Sequence, residues 1–212
     1  MGLYASTNCA EWRAALKQYD ALILAHKVNQ LAELDAWYQK ELPARLASRN
    51  PAYVTKEEFL EILRWKMKRG AWREYNRLRI AETDARVIEQ HARDAFAAAR
   101  ALDTDAPTAS KEYKRPIQVF SELDGVGPAT ASAALAAYRP DLYPFFDEWI
   151  ARQIAAQINS LGKVAFTPSY YWKYADALRE KARALKKCKG NWNAQETGQA
   201  LWVASGGKVK IK

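Results

Sequence analysis

The stretch Leu123–Leu135 contains the residue types that can bind a phosphate group through the backbone. It reads LDGVGPATASAAL. Gly125 and Gly127 allow positive φ angles and a close approach of backbone to a ligand, and Pro128 suits the first turn of a helix. The free N–H groups of such a turn and of the helix that follows it point outward together and form a phosphate site. A plain turn between two packed helices is the alternative interpretation.

The same residues resemble the helix-hairpin-helix DNA glycosylase superfamily. Its signature is L-P-G-V-G-x-x-T-A, then a stretch rich in Gly and Pro, then an aspartate. The chain supplies Leu123, Gly125, Val126, Gly127, Thr130 and Ala131, followed by Pro140, Pro144 and Asp147. Asp147 lies twenty residues beyond Gly127, which is the usual spacing in that superfamily. The match is close over residues 117–152, and residues 67–76 loosely resemble the family's helix junction before the hairpin.

The resemblance implies a domain of the DNA-glycosylase type that binds double-stranded DNA and breaks the bond between a base and its deoxyribose. Asp147 would be the catalytic carboxylate, because the transition state carries positive charge that a carboxylate stabilises, or because it activates a water molecule. The base must first leave the stack and enter a pocket. Expected strand contacts are Gly125, Val126, Gly127, Ala129, Thr130, Lys114 and Arg115; candidates for stacking on the base are Trp37, Trp65, Tyr143, Phe146 and Trp149.

Some residues of this chain differ from the family's pattern, and these differences restrict the activity and the cofactors that we expect. Ala129 stands where bifunctional members carry a lysine, so no Schiff base can form there and a monofunctional enzyme without lyase activity is expected. Cys188 is the only cysteine in the C-terminal part, so no iron–sulfur cluster is expected. The resemblance is compatible with a monovalent cation bound at the hairpin. Asp124 replaces the common proline and adds negative charge beside the phosphate site.

These departures, together with Glu148 and Trp149 after the aspartate, leave a second hypothesis open. It is a helix-hairpin-helix module that binds DNA without catalysis. A third hypothesis is a helical bundle that binds RNA or another protein, in which the hairpin is only a turn.

Helical periodicity extends over nearly the whole chain, and no run alternates with a period of two. The sequence therefore predicts an all-α fold, a helical bundle of about ten helices in two lobes, as one domain over residues 1–212. The hairpin motif occupies 117–137. Thr55 with Glu58, and Asn193 with Glu196, have the form of capping boxes. Asp147 is placed to cap the next helix. Pro43 and Pro51 predict a break, Pro116 predicts the start of a short helix, and residues 206–212 predict a disordered tail.

Composition and charge favour a globular protein with a polyanionic partner. The chain has 212 residues, of which 49% are hydrophobic and 27% charged, with a formal net charge of +9. Basic proteins attract phosphates and release their counterions, and basic runs over 66–79 and 173–189 are either solvated helix faces or a track for the DNA backbone.

The location and cofactor content follow from what the sequence lacks. No run approaches the roughly 18 apolar residues of a membrane helix, and the start of the chain lacks a secretory pattern. We therefore expect a nuclear or cytoplasmic protein, a monomer that does not contact membranes, with Cys9 and Cys188 both reduced. His26 and His91 have no cysteine nearby, so no metal site is expected.

Overall fold

A computed structural model describes residues 2–71, 73–190 and 192–209 of the chain. Within these ranges the structure is helical and contains no strand, which confirms the all-α class. Short 3₁₀ turns at Leu3–Ala5 and Asn159–Leu161 and a π turn at Trp37–Glu41 accompany the α-helices. The α-helices are α1 (Cys9–Lys17), α2 (Tyr19–Ala25), α3 (Leu31–Ala36), α4 (Leu42–Ala47), α5 (Lys56–Arg69), α6 (Glu74–Glu82), α7 (Ala85–Arg100), α8 (Lys111–Ser121), α9 (Pro128–Tyr138), α10 (Glu148–Ala155), α11 (Pro168–Leu185) and α12 (Ala194–Ala204).

The predicted capping boxes are present at both positions. At α5 the Thr55 hydroxyl accepts the Glu58 N–H at 3.2 Å, and the Glu58 carboxylate accepts the Thr55 N–H at 3.0 Å. At α12 Asn193 and Glu196 make the same reciprocal pair. Each box satisfies two backbone donors that a helix start leaves open. Both helices therefore begin where the sequence predicts.

One proline prediction holds in part, and the other, a helix start at Pro116, is wrong. The chain does break near Pro51, since residues 48–55 are not helical, but the break begins only after α4. Pro43 itself lies in the first turn of α4, where its missing N–H costs no helical hydrogen bond. Pro116 lies inside α8, which begins earlier with Ser110 as its cap. The carbonyl that Pro116 leaves without a donor belongs to Glu112, which is exposed, so water can satisfy it.

The C-terminal tail also differs from the prediction. Gly207 is buried, and the Trp202 indole N–H donates to the Lys208 carbonyl at 3.0 Å, so residues 206–209 pack back on α12. Residues 210–212 of the predicted tail lie outside the described residues, as does Trp72 of the basic run.

The helices form two groups. One surrounds α9, which is almost entirely buried and packs against α4, α5, α7 and α8. Its alanine-rich surface allows close approach, and the Tyr38 hydroxyl donates to the Ala133 carbonyl at 2.6 Å. The other group surrounds α12, which packs against α1, α2, α10 and α11. Buried side chains run without interruption from one group to the other.

Cys9 at the start of α1 forms a disulfide with Cys188, just after α11. The expectation that both thiols are reduced is therefore wrong. The two residues are 179 positions apart in sequence, yet their Cα atoms are 5.4 Å apart, because α1 packs on the C-terminal helices. Nothing in the local sequence of either cysteine indicates this pairing.

This bond should contribute measurably to stability. Closing so long a loop restricts the unfolded chain, so we expect Cys9→Ser to lower the free energy of unfolding by about 2–5 kcal/mol. Urea unfolding of the wild type and the variant measures the difference. Reductant should lower the wild-type midpoint and leave the variant unchanged; equal midpoints for wild-type protein whose disulfide is verified by mass spectrometry, with and without reductant, would contradict the expectation.

Candidate functional site

A cavity of about 320 Å³ lies where the two groups of helices meet. This volume is within the range of roughly 300–1,000 Å³ that is usual for ligand pockets. The end of α5 and the chain after it form one wall, and the starts of α9 and α10 form the other. The charged wall residues are Lys66, Arg69, Arg73, Asp147 and Glu148, and the large apolar ones are Phe145, Phe146, Trp149 and Phe166.

Asp147 is the buried acid of this cavity and also the N-cap of α10. One carboxylate oxygen, Oδ1, accepts the N–H groups of Trp149 at 2.8 Å and Ile150 at 3.3 Å. The other, Oδ2, lies 3.4 Å from Nη2 of Arg69. Burial raises the pKa of Asp147 above its ordinary value, while Arg69 and the two N–H groups act in the opposite direction. The residue therefore caps the helix, as predicted, and lines the cavity with the same side chain.

Side chains from three other helices hold the segment that leads into Asp147. The Phe146 N–H donates to the Ser132 hydroxyl of α9 at 3.0 Å, and the Phe145 N–H donates to the Gln195 side chain of α12 at 2.8 Å. The Tyr174 hydroxyl of α11 donates to the Phe145 carbonyl at 2.7 Å. Buried backbone groups require such partners, so these contacts fix where the carboxylate stands.

Arg69 on the last turn of α5 is only 2% exposed. Its Nη1 donates to the Tyr19 hydroxyl at 2.8 Å, and its guanidinium lies 4.4 Å from the centre of the Trp202 ring. The Tyr19 hydroxyl in turn donates to the buried Asp35 at 2.9 Å. As a member of the basic run 66–79, Arg69 was expected on a solvated or DNA-facing surface. Its position is instead a buried ion pair with Asp147.

The turn between α8 and α9 is exposed at the surface. Gly125 has a φ of 81°, and a Cβ there would lie 3.1 Å from the Asn76 carbonyl oxygen, so the fold itself requires glycine. Gly127 has an ordinary φ of −101°, and a Cβ there would meet nothing within 4 Å. The fold therefore does not require glycine at 127.

The backbone donors of this turn differ in availability. Among the described residues, the N–H groups of Gly125, Gly127 and Ala129 donate no hydrogen bond. The Val126 N–H donates to Leu123 and the Thr130 N–H to Gly127, each at 3.0 Å. The predicted strand contacts at Val126 and Thr130 are thus unavailable through their N–H groups, and both side chains are buried.

The structure differs from the expectations for three further residues of the hairpin, Asp124, Lys114 and Arg115. Asp124 is paired with Arg79 of α6, so its negative charge is compensated. Lys114 and Arg115 lie in the N-terminal half of α8, whereas the turn follows its C-terminal end. Arg115 pairs with Glu122 at 3.1 Å. The Arg115 guanidinium therefore reaches Glu122, three residues before Gly125, but its charge there is compensated.

Two of the five aromatic candidates, Phe146 and Trp149, line the cavity. Trp65 and Tyr143 do not, because both are fully buried in the core. Trp65 stacks on Tyr38, and the Tyr143 hydroxyl donates to the Tyr113 carbonyl at 2.8 Å. Trp37 lines a separate surface depression with Gln30 and Arg64.

Sequence reasoning missed several cavity residues. Phe166, which is 48% exposed, comes from the loop before α11 and no sequence pattern singles it out. Lys66 and Arg69 belong to the basic run 66–79, and Asn76 to the stretch 67–76, whose loose resemblance to the family's helix junction was the available signal.

In residues 2–71, 73–190 and 192–209 no three His, Cys, Asp or Glu side chains are grouped so that they could hold a metal ion. A monovalent cation at the hairpin would need carbonyl oxygens there. The Leu123 carbonyl accepts one hydrogen bond and keeps a second lone pair, whereas the Gly127 carbonyl already accepts two, from the N–H groups of Thr130 and Ala131. The cation therefore stays a prediction.

None of the described helices combines the length and apolar character that crossing a bilayer requires. Comparison with known proteins yields no family model, no curated protein and no solved structure that matches this chain.

The two glycines of the turn should respond differently to substitution. Gly125→Ala forces a side chain into a left-handed conformation and against Asn76, so we expect a loss of about 1–3 kcal/mol in unfolding free energy. For Gly127→Ala we expect a change within about 0.5 kcal/mol, because a poorer N-cap is offset by a less flexible unfolded chain. Urea unfolding measures the free energy of unfolding of both variants. Equal losses would contradict the conclusion that the fold requires glycine at 125 but not at 127.

Proposed function

We propose that the protein binds double-stranded DNA at the turn before α9 and hydrolyses the N-glycosidic bond of a base turned into the cavity, with Asp147 as the catalytic carboxylate. The observation that carries this proposal is a juxtaposition. Gly127 and Ala129, whose N–H groups donate to no other described residue, line the same cavity as the buried carboxylate of Asp147. A DNA strand held by those N–H groups would have its nucleotide directly at the acid.

Support for a strand at the turn comes from its backbone. The free N–H groups stand at the N-terminal end of α9, where the helix dipole favours an anion. Gly127 is exposed and needs no glycine for steric reasons of its own, so an approaching phosphate is a reason for a residue without a side chain. Contacts of this kind position a duplex without reading its sequence.

Support for the chemistry comes from the cavity wall. Oδ2 of Asp147 lies 3.4 Å from Nη2 of Arg69 and accepts no other hydrogen bond from the described residues, whereas Oδ1 accepts two helix N–H groups. Oδ2 is thus the oxygen that would face positive charge on the sugar or take a proton from water. Burial raises the pKa of Asp147, and a carboxylate with a raised pKa is a better base. Trp149 and Phe166 offer faces on which a base could stack, whereas Phe146 is 1% exposed and packs against other aromatic rings.

One observation favours the second candidate, a DNA-binding module without catalysis. The Arg69 guanidinium stands against the carboxylate and is itself buried. A permanent cation there reduces the negative potential that Asp147 could offer to a developing positive charge. We favour hydrolysis because Arg69 shares its hydrogen bonds with Tyr19, and its contact to Asp147 is long.

Asp147→Asn should abolish release of a base, because asparagine keeps the helix cap but carries no charge. It also leaves the buried Arg69 without its counter-charge, so folding and duplex binding of the variant are measured beside base release. The measurement is abasic-site formation in duplexes that contain uracil, alkylated purines, 8-oxoguanine or mismatches. Asp84→Asn is the matched control, since Asp84 caps α7 in the same way, through the Arg86 N–H at 2.8 Å. If wild-type protein bound to these duplexes releases no base from any of them, the module without catalysis is the better description.

Gly127→Ala should weaken duplex binding at least several-fold, although it leaves stability nearly unchanged, because the added methyl group stands where the phosphate would approach. Titration of a labelled duplex at several salt concentrations measures this, and wild-type affinity should fall steeply with salt. Poly-glutamate serves as the unrelated polyanion. Equal affinity of the wild type for poly-glutamate and duplex DNA would refute both DNA hypotheses and favour the third, a bundle in which the hairpin is only a turn.

A further inference from the structure

Two cations on the cavity wall play no part in the proposed hydrolysis. Lys66 belongs to the last turn of α5 and is partly buried, and Arg73 stands just before α6 and is exposed. Within the described part of the chain, neither side chain forms an ion pair or a hydrogen bond. An uncompensated charge beside a cavity acts on whatever ligand enters it.

The two carboxylates of the wall do not compensate this charge, because each already has a cation of its own. Asp147 faces Arg69 at 3.4 Å, and Glu148 accepts from Arg152 at 2.7 Å. The wall thus carries three cations against two carboxylates, and the Arg152 guanidinium adds positive charge beside it. The potential inside the cavity is therefore positive.

Lys66 keeps its charge in neutral and mildly acidic solution. Burial, with a smaller contribution from the charge of Arg73, lowers the pKa of Lys66 to about 8. The positive charge of the amine is lost only as the pH rises through that value, whereas the guanidinium of Arg73 stays charged throughout. Both side chains are therefore cationic hydrogen-bond donors below this pH.

Aromatic rings attract cations, but the Trp149 ring of this wall already has two cations of the protein beside it. The Arg152 guanidinium lies 5.3 Å from the centre of the ring, and the Lys208 amine lies 5.2 Å from it. Phe166 attracts a cation less strongly than a tryptophan does. The aromatic part of the wall therefore does not offset the repulsion of a cationic ligand.

We propose that the cavity selects neutral bases that present carbonyl oxygens, such as uracil, hypoxanthine and oxidised purines, and rejects N-alkylated purines whose rings are positively charged. Lys66 and Arg73 are the residues that set this selectivity. A carbonyl oxygen accepts hydrogen bonds from either cation, whereas a cationic ring is repelled by both. The inference rests on the proposed function, because a base is the expected ligand only if the cavity receives one.

The same two cations suit the departure of a neutral base. When the C1′–N bond breaks, its electron pair passes to the base, which is an anion until it takes up a proton. Positive charge beside that anion stabilises it. Water loses a proton to Asp147 and its oxygen bonds to C1′, so the products are the free base and an abasic sugar. A cationic base leaves as a neutral molecule and gains nothing from Lys66 or Arg73.

The test compares two guanine lesions of similar shape and different charge, 8-oxoguanine and 7-methylguanine. Each is placed opposite cytosine in the same duplex on a 2′-fluorinated sugar, which prevents loss of the base. The solution is mildly acidic, so that the methylated ring keeps its positive charge. Fluorescence titration measures both affinities, and we expect wild-type protein to bind the 8-oxoguanine duplex at least about fivefold more tightly.

Substitutions that remove the two charges should abolish this preference. Lys66→Met and Arg73→Gln should each lower the affinity ratio at least about twofold, and the double variant should bring it close to one. Phosphate contacts are common to both duplexes and cancel in the ratio. Lys56→Met is the matched control, because Lys56 is also partly buried but lies at the other end of α5, about 15 Å along the helix axis. It should leave the ratio unchanged.

A wild-type ratio near one, a preference for 7-methylguanine, or a ratio that neither variant lowers would each overturn the proposal. Base release is measured separately, on duplexes with ordinary sugars and relative to duplex without protein. A preference for 8-oxoguanine without release of any base would support the selectivity and refute the hydrolase. Release of both bases together with an affinity ratio near one would support the hydrolase and refute the selectivity.

Discussion

The segment 142–147 runs through the interior. At its ends the Leu142 and Tyr143 N–H groups donate to the Arg139 carbonyl and the Asp147 carbonyl accepts the Ala151 N–H, but the buried peptide groups between them must find partners on other elements. An unpaired buried N–H or C=O costs about 1–3 kcal/mol, so a segment of this kind is stable only when other elements supply donors and acceptors. Here side chains from four different helices do so: Tyr113, Ser132, Tyr171, Tyr174 and Gln195. Because these helices converge on one short stretch, Asp147 at its end has little freedom. The geometry of the candidate site is therefore a consequence of how the core satisfies its own backbone.

The ion pair of Arg69 and Asp147 joins the two groups of helices at this same point. Arg69 comes from α5, caps no helix, and extends through its contacts with Tyr19 and Trp202 into the group around α12. Taking two charges out of water costs several kcal/mol for each ion, and packed apolar side chains often serve stability as well. A buried pair is thus weak support for a role in stability alone. Its position on a cavity wall, with one edge of the carboxylate available, is better explained by chemistry or binding.

Features that depend on neighbouring residues could be predicted from the sequence, and features that depend on distant ones could not. Thr55 and Asp147 cap their helices by accepting N–H groups two or three residues further along the chain, so these caps depend only on nearby sequence, and both are found. The interpretation of Trp65 as a base-stacking residue failed because its direction is set by the packing of α5 on the core. Arg69 follows Trp65 by four residues and so shares its helix face; that spacing was a usable sign of burial. The disulfide and Phe166 depend on contacts between remote parts of the chain, about which local patterns carry no information.

The cavity has two properties that oppose each other: positive charge that attracts a polyanion, and an amine, Lys66, whose pKa is lowered. Both follow from the same charge distribution. With Asp147 and Glu148 paired to arginines, Arg73 and Lys66 are left as uncompensated cations among the described wall residues, which attracts phosphate. A bound phosphate would partly cancel the charge of Arg73 and so favour the protonated form of Lys66. Burial, however, contributes more than Arg73 to lowering the pKa of Lys66, and a strand lying over the cavity excludes more water. A strand bound over the cavity would thus reinforce the larger cause while it removes the smaller one, and the pKa of Lys66 would stay below its ordinary value.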